Sequence, residues 1–111
     1  MHRHTVLFNL KDELSEVEKE RVIDSMRTLR TIAAVRDFIL EKNRLPAGEK
    51  APYEWLLVVD FSNDDDRQIY EQDARHVAVI KGCFVPAVKN YIVSDVNFQL
   101  ASPAVHRLNL R

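Results

Sequence analysis

Residues 53–61 read YEWLLVVDF, which is the clearest strand pattern in the chain. Alternate side chains of a strand point to opposite faces. One face of the predicted strand carries Tyr53, Trp55, Leu57, Val59 and Phe61, and the other carries Glu54, Leu56, Val58 and Asp60. Both faces are apolar at the centre of the strand. A sheet with helices on only one side would leave one of these faces exposed to water, so the sequence predicts that a second sheet covers it.

Further strands and helices are predicted on both sides of this stretch. Alternating apolar residues predict strands, and Ser15 followed three residues later by Glu18 has the form of a capping box that starts a helix. Ser62 or Asn63 can cap a second helix. The predicted strands are residues 4–10, 35–43, 53–61 and 91–98, and the predicted helices are residues 16–31, 64–72 and 76–89, the last weakened by Gly82 and Pro86.

The order β-α-β-β-α-β predicts an α+β protein with a ferredoxin-like protomer. Such a protomer has a four-stranded antiparallel sheet with its helices on one face. The simplest cover for the bare face is a second copy related by a two-fold axis, so that two protomers form a dimeric α/β barrel. Residues 1–98 are therefore predicted to form the domain, and residues 99–111, which include His106, form a C-terminal tail.

Length, charge and cysteine content exclude several classes of protein. The chain has 111 residues, enough for one domain, and a net charge of -1, so we expect neither nucleic-acid binding nor membrane binding. A single cysteine, Cys83, and an N-terminal apolar stretch too short for a signal segment indicate a cytoplasmic protein. With two glycines the chain has no Gly-rich phosphate loop, and we expect no cofactor.

Tyr70 and His76 are the leading candidates for acid–base chemistry. A tyrosine that holds a carbonyl oxygen beside a histidine that removes a proton can activate a carbonyl substrate. Residues six apart on one unbroken helix are rotated by about 240°, so this pair shares a face only if the helix breaks near residues 73–75. The alternative interpretation is that both are buried side chains with satisfied hydrogen bonds.

Other residues with ligating or nucleophilic side chains favour structural roles. His2 and His4 form an H-x-H pair on one face of the first strand, but no Cys or carboxylate cluster lies nearby in sequence, so we expect no metal. The acidic run 64–66 lacks EF-hand spacing and suits the first turn of a helix. Cys83 lies in an apolar run, which is typical of a small core residue.

Several segments resemble the stress-responsive dimeric α/β barrel (Dabb) family, over about residues 2–98. The segments are His4-Thr5-Val6-Leu7-Phe8 with Lys11 and Asp12, the strand end Asp60-Phe61, the stretch from Tyr70 to His76, and the closing Tyr91-Ile92-Val93-Ser94-Asp95. The resemblance implies a ferredoxin-like protomer and a two-fold homodimer that contacts itself through the sheet faces.

The resemblance also implies site residues. A plant polyketide cyclase of this family uses a tyrosine and a histidine for aldol cyclisation with loss of a thioester. Its pair falls on Tyr70 and His76, and its supporting first-strand histidine falls on His4. The family segment usually reads H-P-x-H, whereas residues 73–76 of this chain read DARH, so the proline that would force the helix break is absent.

Three functions stay open from the sequence, all for a homodimer that binds a small hydrophobic molecule. The first is a cyclase or lyase with His76 as general base and Tyr70 as donor to the substrate oxygen, in which His4 either supports the catalytic pair from behind or contacts the substrate. The second is a non-catalytic ligand-binding or stress-response dimer. The third is oxygen chemistry of the monooxygenase or haem-degrading type found on related barrels.

Overall fold

Four antiparallel strands form one sheet in the computed structural model, which describes residues 1–100. The strands are β1 (His2–Leu10), β2 (Asp37–Lys42), β3 (Trp55–Phe61) and β4 (Val88–Asn97), in the spatial order β2-β3-β1-β4. Helical segments connect β1 to β2 and β3 to β4. The predicted ferredoxin-like protomer with its β-α-β-β-α-β order is therefore confirmed. None of the helices in the described residues is long and apolar enough to span a membrane.

The first helical region begins with the predicted capping box. Helix α1 (Glu16–Arg27) has Ser15 as its N-cap, whose hydroxyl accepts a hydrogen bond from the Glu18 N–H while the Glu18 carboxylate accepts one from the Ser15 N–H. A single 3₁₀ turn (Thr28–Thr31) follows. The predicted helix over residues 16–31 is thus present, with its last turn wound more tightly than an α-helix.

The second helical region is segmented. It contains α2 (Asp64–Gln72), α3 (Ala74–Val79), a π-helical turn (Ile80–Phe84) and α4 (Val85–Ala87). Asn63 caps α2 by accepting a hydrogen bond from the Asp66 N–H, as predicted. The helical region ends at residue 87 instead of 89, because Val88 already pairs with Leu10 and β4 begins there, three residues before its predicted start.

Strand β1 also begins earlier than predicted. It starts at His2 instead of residue 4, because His2 pairs with Phe61 on β3 and with Asn97 on β4. The Phe98 N–H donates a hydrogen bond to the Met1 carbonyl (2.9 Å), which continues the pairing to the start of the described chain. Strands β2 and β3 are slightly shorter than predicted. The predicted tail starts after β4, and its residues 101–111, with His106, lie outside the described residues.

The two faces of the sheet differ in what covers them. One face packs against the helices and contains the core, whose largest fully buried side chains are Phe8, Met26, Leu29, Val59, Phe61 and Tyr70. The opposite face, called the open face below, carries Ile39 on β2 and Ile92 and Val96 on β4, which are 44%, 50% and 48% exposed. The apolar character of both sheet faces predicted from residues 53–61 therefore extends to the two edge strands, β2 and β4.

Candidate functional site

A cavity of about 440 Å³ lies between the helix-covered face of the sheet and the segmented helical region. Its apolar lining residues are Val6, Leu57, Ile80, Phe84, Val85, Val88 and Val93, and its polar lining residues are His4, Tyr70, Glu71, His76 and Tyr91. A concave, mainly apolar site with a few convergent polar groups is the usual form of a small-molecule site. All three residues singled out from the sequence, His4, Tyr70 and His76, line this cavity.

A break between α2 and α3 brings Tyr70 and His76 together. Asp73 has an extended backbone (φ -61°, ψ 133°) and both ends α2 and caps α3. Its carboxylate accepts a hydrogen bond from the Arg75 N–H (2.8 Å). The ring centroids of Tyr70 and His76 lie 4.5 Å apart. The break therefore forms without the family's proline, because an aspartate N-cap stabilises the start of a new helix at the same place.

The environment of His76 suits a general base. Its Nδ1–H donates a hydrogen bond to the Glu71 carbonyl (3.1 Å), so in the neutral ring the lone pair is on Nε2. Burial lowers the pKa of His76 below its usual value, and a charge on His4 lowers it further, while the carbonyl and charge of Glu71 partly offset both effects. His76 is therefore uncharged at neutral pH and free to accept a proton.

Tyr70 has the opposite tendency, to keep its proton. Its side chain is 2% exposed and packs against the Phe61 ring, with centroids 5.0 Å apart. Burial raises the pKa of the Tyr70 hydroxyl well above its usual value, and the negative charge of Glu71 adds to this. The phenol therefore stays protonated at neutral pH, as a hydrogen-bond donor to a substrate oxygen must.

His4 is held on the sheet side of the cavity by Asp95. The two residues are opposite each other in the pairing of β1 with β4, and the His4 Nδ1–H donates to the Asp95 carboxylate (2.9 Å). Burial opposes ionisation of Asp95, but hydrogen bonds from His2 and His4 outweigh it, so the pKa of Asp95 lies below its usual value. The ionised carboxylate fixes the His4 tautomer and leaves its Nε2 as an acceptor.

Sequence reasoning missed the role of Asp95 as the partner of His4. In the sequence Asp95 is only the last residue of a segment that resembles the family. The signal lies in strand pairing, since antiparallel β1 and β4 bring residues 91 apart in the chain face to face, and single-strand patterns do not give the register between distant strands.

The other sequence candidates have structural contacts. His2 and His4 both bind Asp95, and within residues 1–100 no group of three or more His, Cys, Asp or Glu side chains is placed to hold a metal ion. Asp64 opens α2, and its carboxylate accepts hydrogen bonds from Arg67 and Gln68. Cys83 is partly buried and is not part of the cavity lining.

Comparison with known proteins agrees with this fold. Residues 3–98 match the family described as "Stress responsive A/B Barrel Domain". A Dabb family protein with a ferredoxin-like fold from Mesorhizobium loti has a TM-score of 0.75 and 25% sequence identity, over 88% of this chain and 96% of that chain. A search of curated proteins found no match.

Two further solved structures share the fold. A dimeric ferredoxin-like protein of unknown function from Thermobifida fusca has a TM-score of 0.74 and 21% identity, over 87% of this chain and 90% of that chain. The hydroxynitrile lyase of Passiflora edulis has a TM-score of 0.78 and 19% identity, over 92% of this chain and 96% of that chain. At this level of identity both likenesses show the shared fold alone.

Proposed function

The chain belongs to the stress responsive A/B barrel domain family, and on that premise we propose that it is a small-molecule enzyme of the lyase or cyclase type. His76 is the general base, Tyr70 donates a hydrogen bond to the substrate oxygen, and His4 contacts the substrate from the sheet side. The observation that carries the proposal is the Tyr70–His76 pair, 4.5 Å apart between ring centroids, in a mainly apolar cavity.

The proposed chemistry moves one proton from the substrate to His76 Nε2. In a cyclase step the proton leaves the carbon next to a carbonyl, the resulting enolate forms a C–C bond to a second carbonyl carbon, and the oxygen of that carbonyl takes the proton back from His76 to become a hydroxyl. In a lyase step the proton leaves the hydroxyl of a hydroxynitrile, the C–CN bond breaks with its electrons on cyanide, and His76 returns the proton to cyanide. In both, Tyr70 stabilises the substrate oxygen where negative charge develops or is lost.

The cavity favours a substrate with an apolar body and one oxygen-bearing end. Its lining is mainly apolar, so binding an alkyl or aryl group there removes apolar surface from water. The likeness to the Passiflora edulis hydroxynitrile lyase makes hydroxynitriles the first substrates to try. β-Ketoacyl thioesters are the second class, because they present an acidic C–H between carbonyl groups.

We also propose that the protein is a homodimer in which two open faces pack together. The support is the half-exposed apolar side chains Ile39, Ile92 and Val96, which two copies would bury against each other. The dimeric Thermobifida fusca protein shares the fold. In this arrangement the helices and the cavity of each protomer lie on the outside of the barrel.

The test compares turnover of mandelonitrile and of β-ketoacyl thioesters by the wild type, His76→Gln and Tyr70→Phe. We expect each substitution to lower kcat by at least about a hundredfold, since positioned acid–base groups contribute that much or more. Val77→Ala is the matched control, because Val77 lies next to His76 on α3 outside the cavity lining. Folded variants with wild-type turnover would show that the catalytic assignment is wrong.

The second candidate is a non-catalytic binding protein, and the mainly apolar cavity lining favours it. In that case the wild type turns over none of the substrates but binds apolar probes such as alkylphenols. The affinity for those probes would be the same in His76→Gln as in the wild type. A loss of affinity in Phe84→Ala, which removes part of the cavity wall, would locate the binding in this cavity.

A further inference from the structure

One carboxylate oxygen binds two histidines at the edge of the cavity. The Oδ1 atom of Asp95 accepts a hydrogen bond from His2 Nε2 (2.8 Å) and another from His4 Nδ1 (2.9 Å). Both histidines point to the helix-covered face of the sheet, because residues two apart on a strand share a face. His4 lines the cavity, and His2 does not. The two rings are thus linked through one acceptor atom.

His2 is buried between two carboxylates. Its side chain is 7% exposed, and its second ring nitrogen, Nδ1, lies 3.6 Å from Asp64 Oδ1 at the start of α2. That separation is too long for a hydrogen bond, and Nδ1 has no hydrogen-bond partner among the described residues. The charged and titratable groups around His2 are therefore Asp95 from β4, Asp64 from α2 and His4 from β1 itself; its contact with β3 is the uncharged Phe61 ring.

We propose that His2 is a positioning residue, which shares the Asp95 carboxylate with His4 and thereby weakens the hold of that carboxylate on the proton of His4. Each N–H that binds the same oxygen reduces the negative charge available to the other. His4 therefore gives up its proton more readily than it would if Asp95 were its partner alone.

The consequence for the cavity concerns the substrate contact made by His4. Its Nδ1–H is held by Asp95, so Nε2 is the ring atom that remains for the substrate, and the strength of the Asp95 hydrogen bond sets how readily Nε2 exchanges a proton. The effect on turnover rests on the proposed function, but the effect on the His4 proton does not.

The experiment is an NMR titration of the histidine ring C–H signals in the full chain, without an N-terminal tag. Signals are assigned from His2→Leu, His4→Gln and His76→Gln. In His2→Leu we expect the titration midpoint of His4 to rise by about half a pH unit, roughly a threefold increase in proton affinity. In His2→Gln, whose amide can still donate to Asp95, the rise should be smaller.

Asp95→Asn provides the second arm of the test. If His2 acts through the carboxylate, the double variant His2→Leu/Asp95→Asn has the same His4 midpoint as Asp95→Asn alone. An unchanged His4 midpoint in His2→Leu overturns the proposal. A rise of equal size with and without Asp95 also overturns it, because the effect then does not pass through the carboxylate.

A purely structural role for His2 gives a different pattern. It lowers the thermal midpoint of unfolding in His2→Leu and leaves the His4 titration where it was. If His2→Leu does not fold, His2→Gln takes its place: a higher His4 midpoint than in the wild type supports the proposal, and an unchanged midpoint overturns it. Should the protein turn over no substrate, the proposed function fails while the titration still tests the link between His2 and His4. If it does, the kcat/KM profile of His2→Leu shifts with the His4 midpoint.

Discussion

The Glu71 carbonyl accepts a hydrogen bond from His76 Nδ1 across the break between α2 and α3 (3.1 Å). The carbonyl belongs to the last turn of one helix and the imidazole to the first turn of the next. The contact therefore exists only while Asp73 keeps its extended backbone. The position of His76 therefore depends on the helix break at Asp73. Substitutions at the break should change both the free energy of unfolding and the rate of the proposed reaction.

Asp73→Ala should weaken this break. Loss of an aspartate N-cap costs about 1 kcal/mol of stability, and without the cap residues 70–76 can wind as one helix, which turns His76 away from Tyr70. We expect a lower free energy of unfolding in urea and a loss of turnover larger than the loss of folded protein explains. Turnover that falls only in proportion to the folded fraction would contradict the coupling.

Ala74→Pro should have the opposite effect on stability. Ala74 is the first residue of α3, where the N–H has no partner within the helix and proline is favoured. Asp73 already has the extended conformation that a residue before proline prefers. We expect a gain of about 0.5 kcal/mol in urea unfolding, with turnover unchanged. A destabilised variant would show that the break differs from the family's H-P-x-H geometry.

The acid limb of activity should lie at lower pH than the ordinary histidine pKa would give. The base must be unprotonated to act, and burial lowers the pKa of His76, so the loss of activity on acidification is displaced downward. The charge of Glu71 raises the pKa of His76, so Glu71→Gln should move the acid limb of kcat/KM to still lower pH. An acid limb that moves upward in Glu71→Gln would contradict the assignment of His76 as the base.

Tyr70 should make the protein sensitive to alkali. Its pKa is raised by burial in the folded state, so above about pH 10, the usual tyrosine pKa, the unfolded chain has lost a proton that the folded chain keeps. Stability then falls as pH rises, by up to about 1.4 kcal/mol per pH unit for this one group. Urea unfolding from pH 9 to 11 should show a shallower decline in Tyr70→Phe than in the wild type.

A charge on the open face should separate the proposed dimer. Ile92→Glu places a carboxylate where two sheets would meet, and we expect the dimer dissociation constant to rise by at least about a hundredfold, or roughly 3 kcal/mol. Ile69→Glu is the matched control, because Ile69 is 58% exposed on α2, away from the open face. Sedimentation velocity at micromolar concentration gives the oligomeric state of the wild type and of each variant. A monomeric wild type would disprove the dimer.

Local signals predicted most of the fold. The capping box of Ser15 and Glu18, the Asn63 cap and the apolar character of β3 on both faces depend on residues close together in sequence, and all three are present in the structure. Strand ends were less well predicted, because the additional residues of β1 and β4 pair only once both strands are in place.

The part of the site that depends on residues close together in sequence was predicted, and the part that depends on strand pairing was not. Tyr70 and His76 are close in sequence, and their convergence depends on Asp73, whose side chain is itself an N-cap signal. The link between His4 and Asp95, and the burial of His2 beside them, arise from the register between the first and last strands. Residue patterns within one strand carry no information about that register.

The break at Asp73 has a consequence for how proteins of this kind are recognised. A capped aspartate here supplies the extended residue and the helix start that a ring-locked proline would otherwise impose, so the bend depends on a pair of dihedral angles and not on one amino acid. With DARH at residues 73–76 this chain lacks H-P-x-H and still brings Tyr70 against His76. The four-letter motif is therefore not required for such a pair.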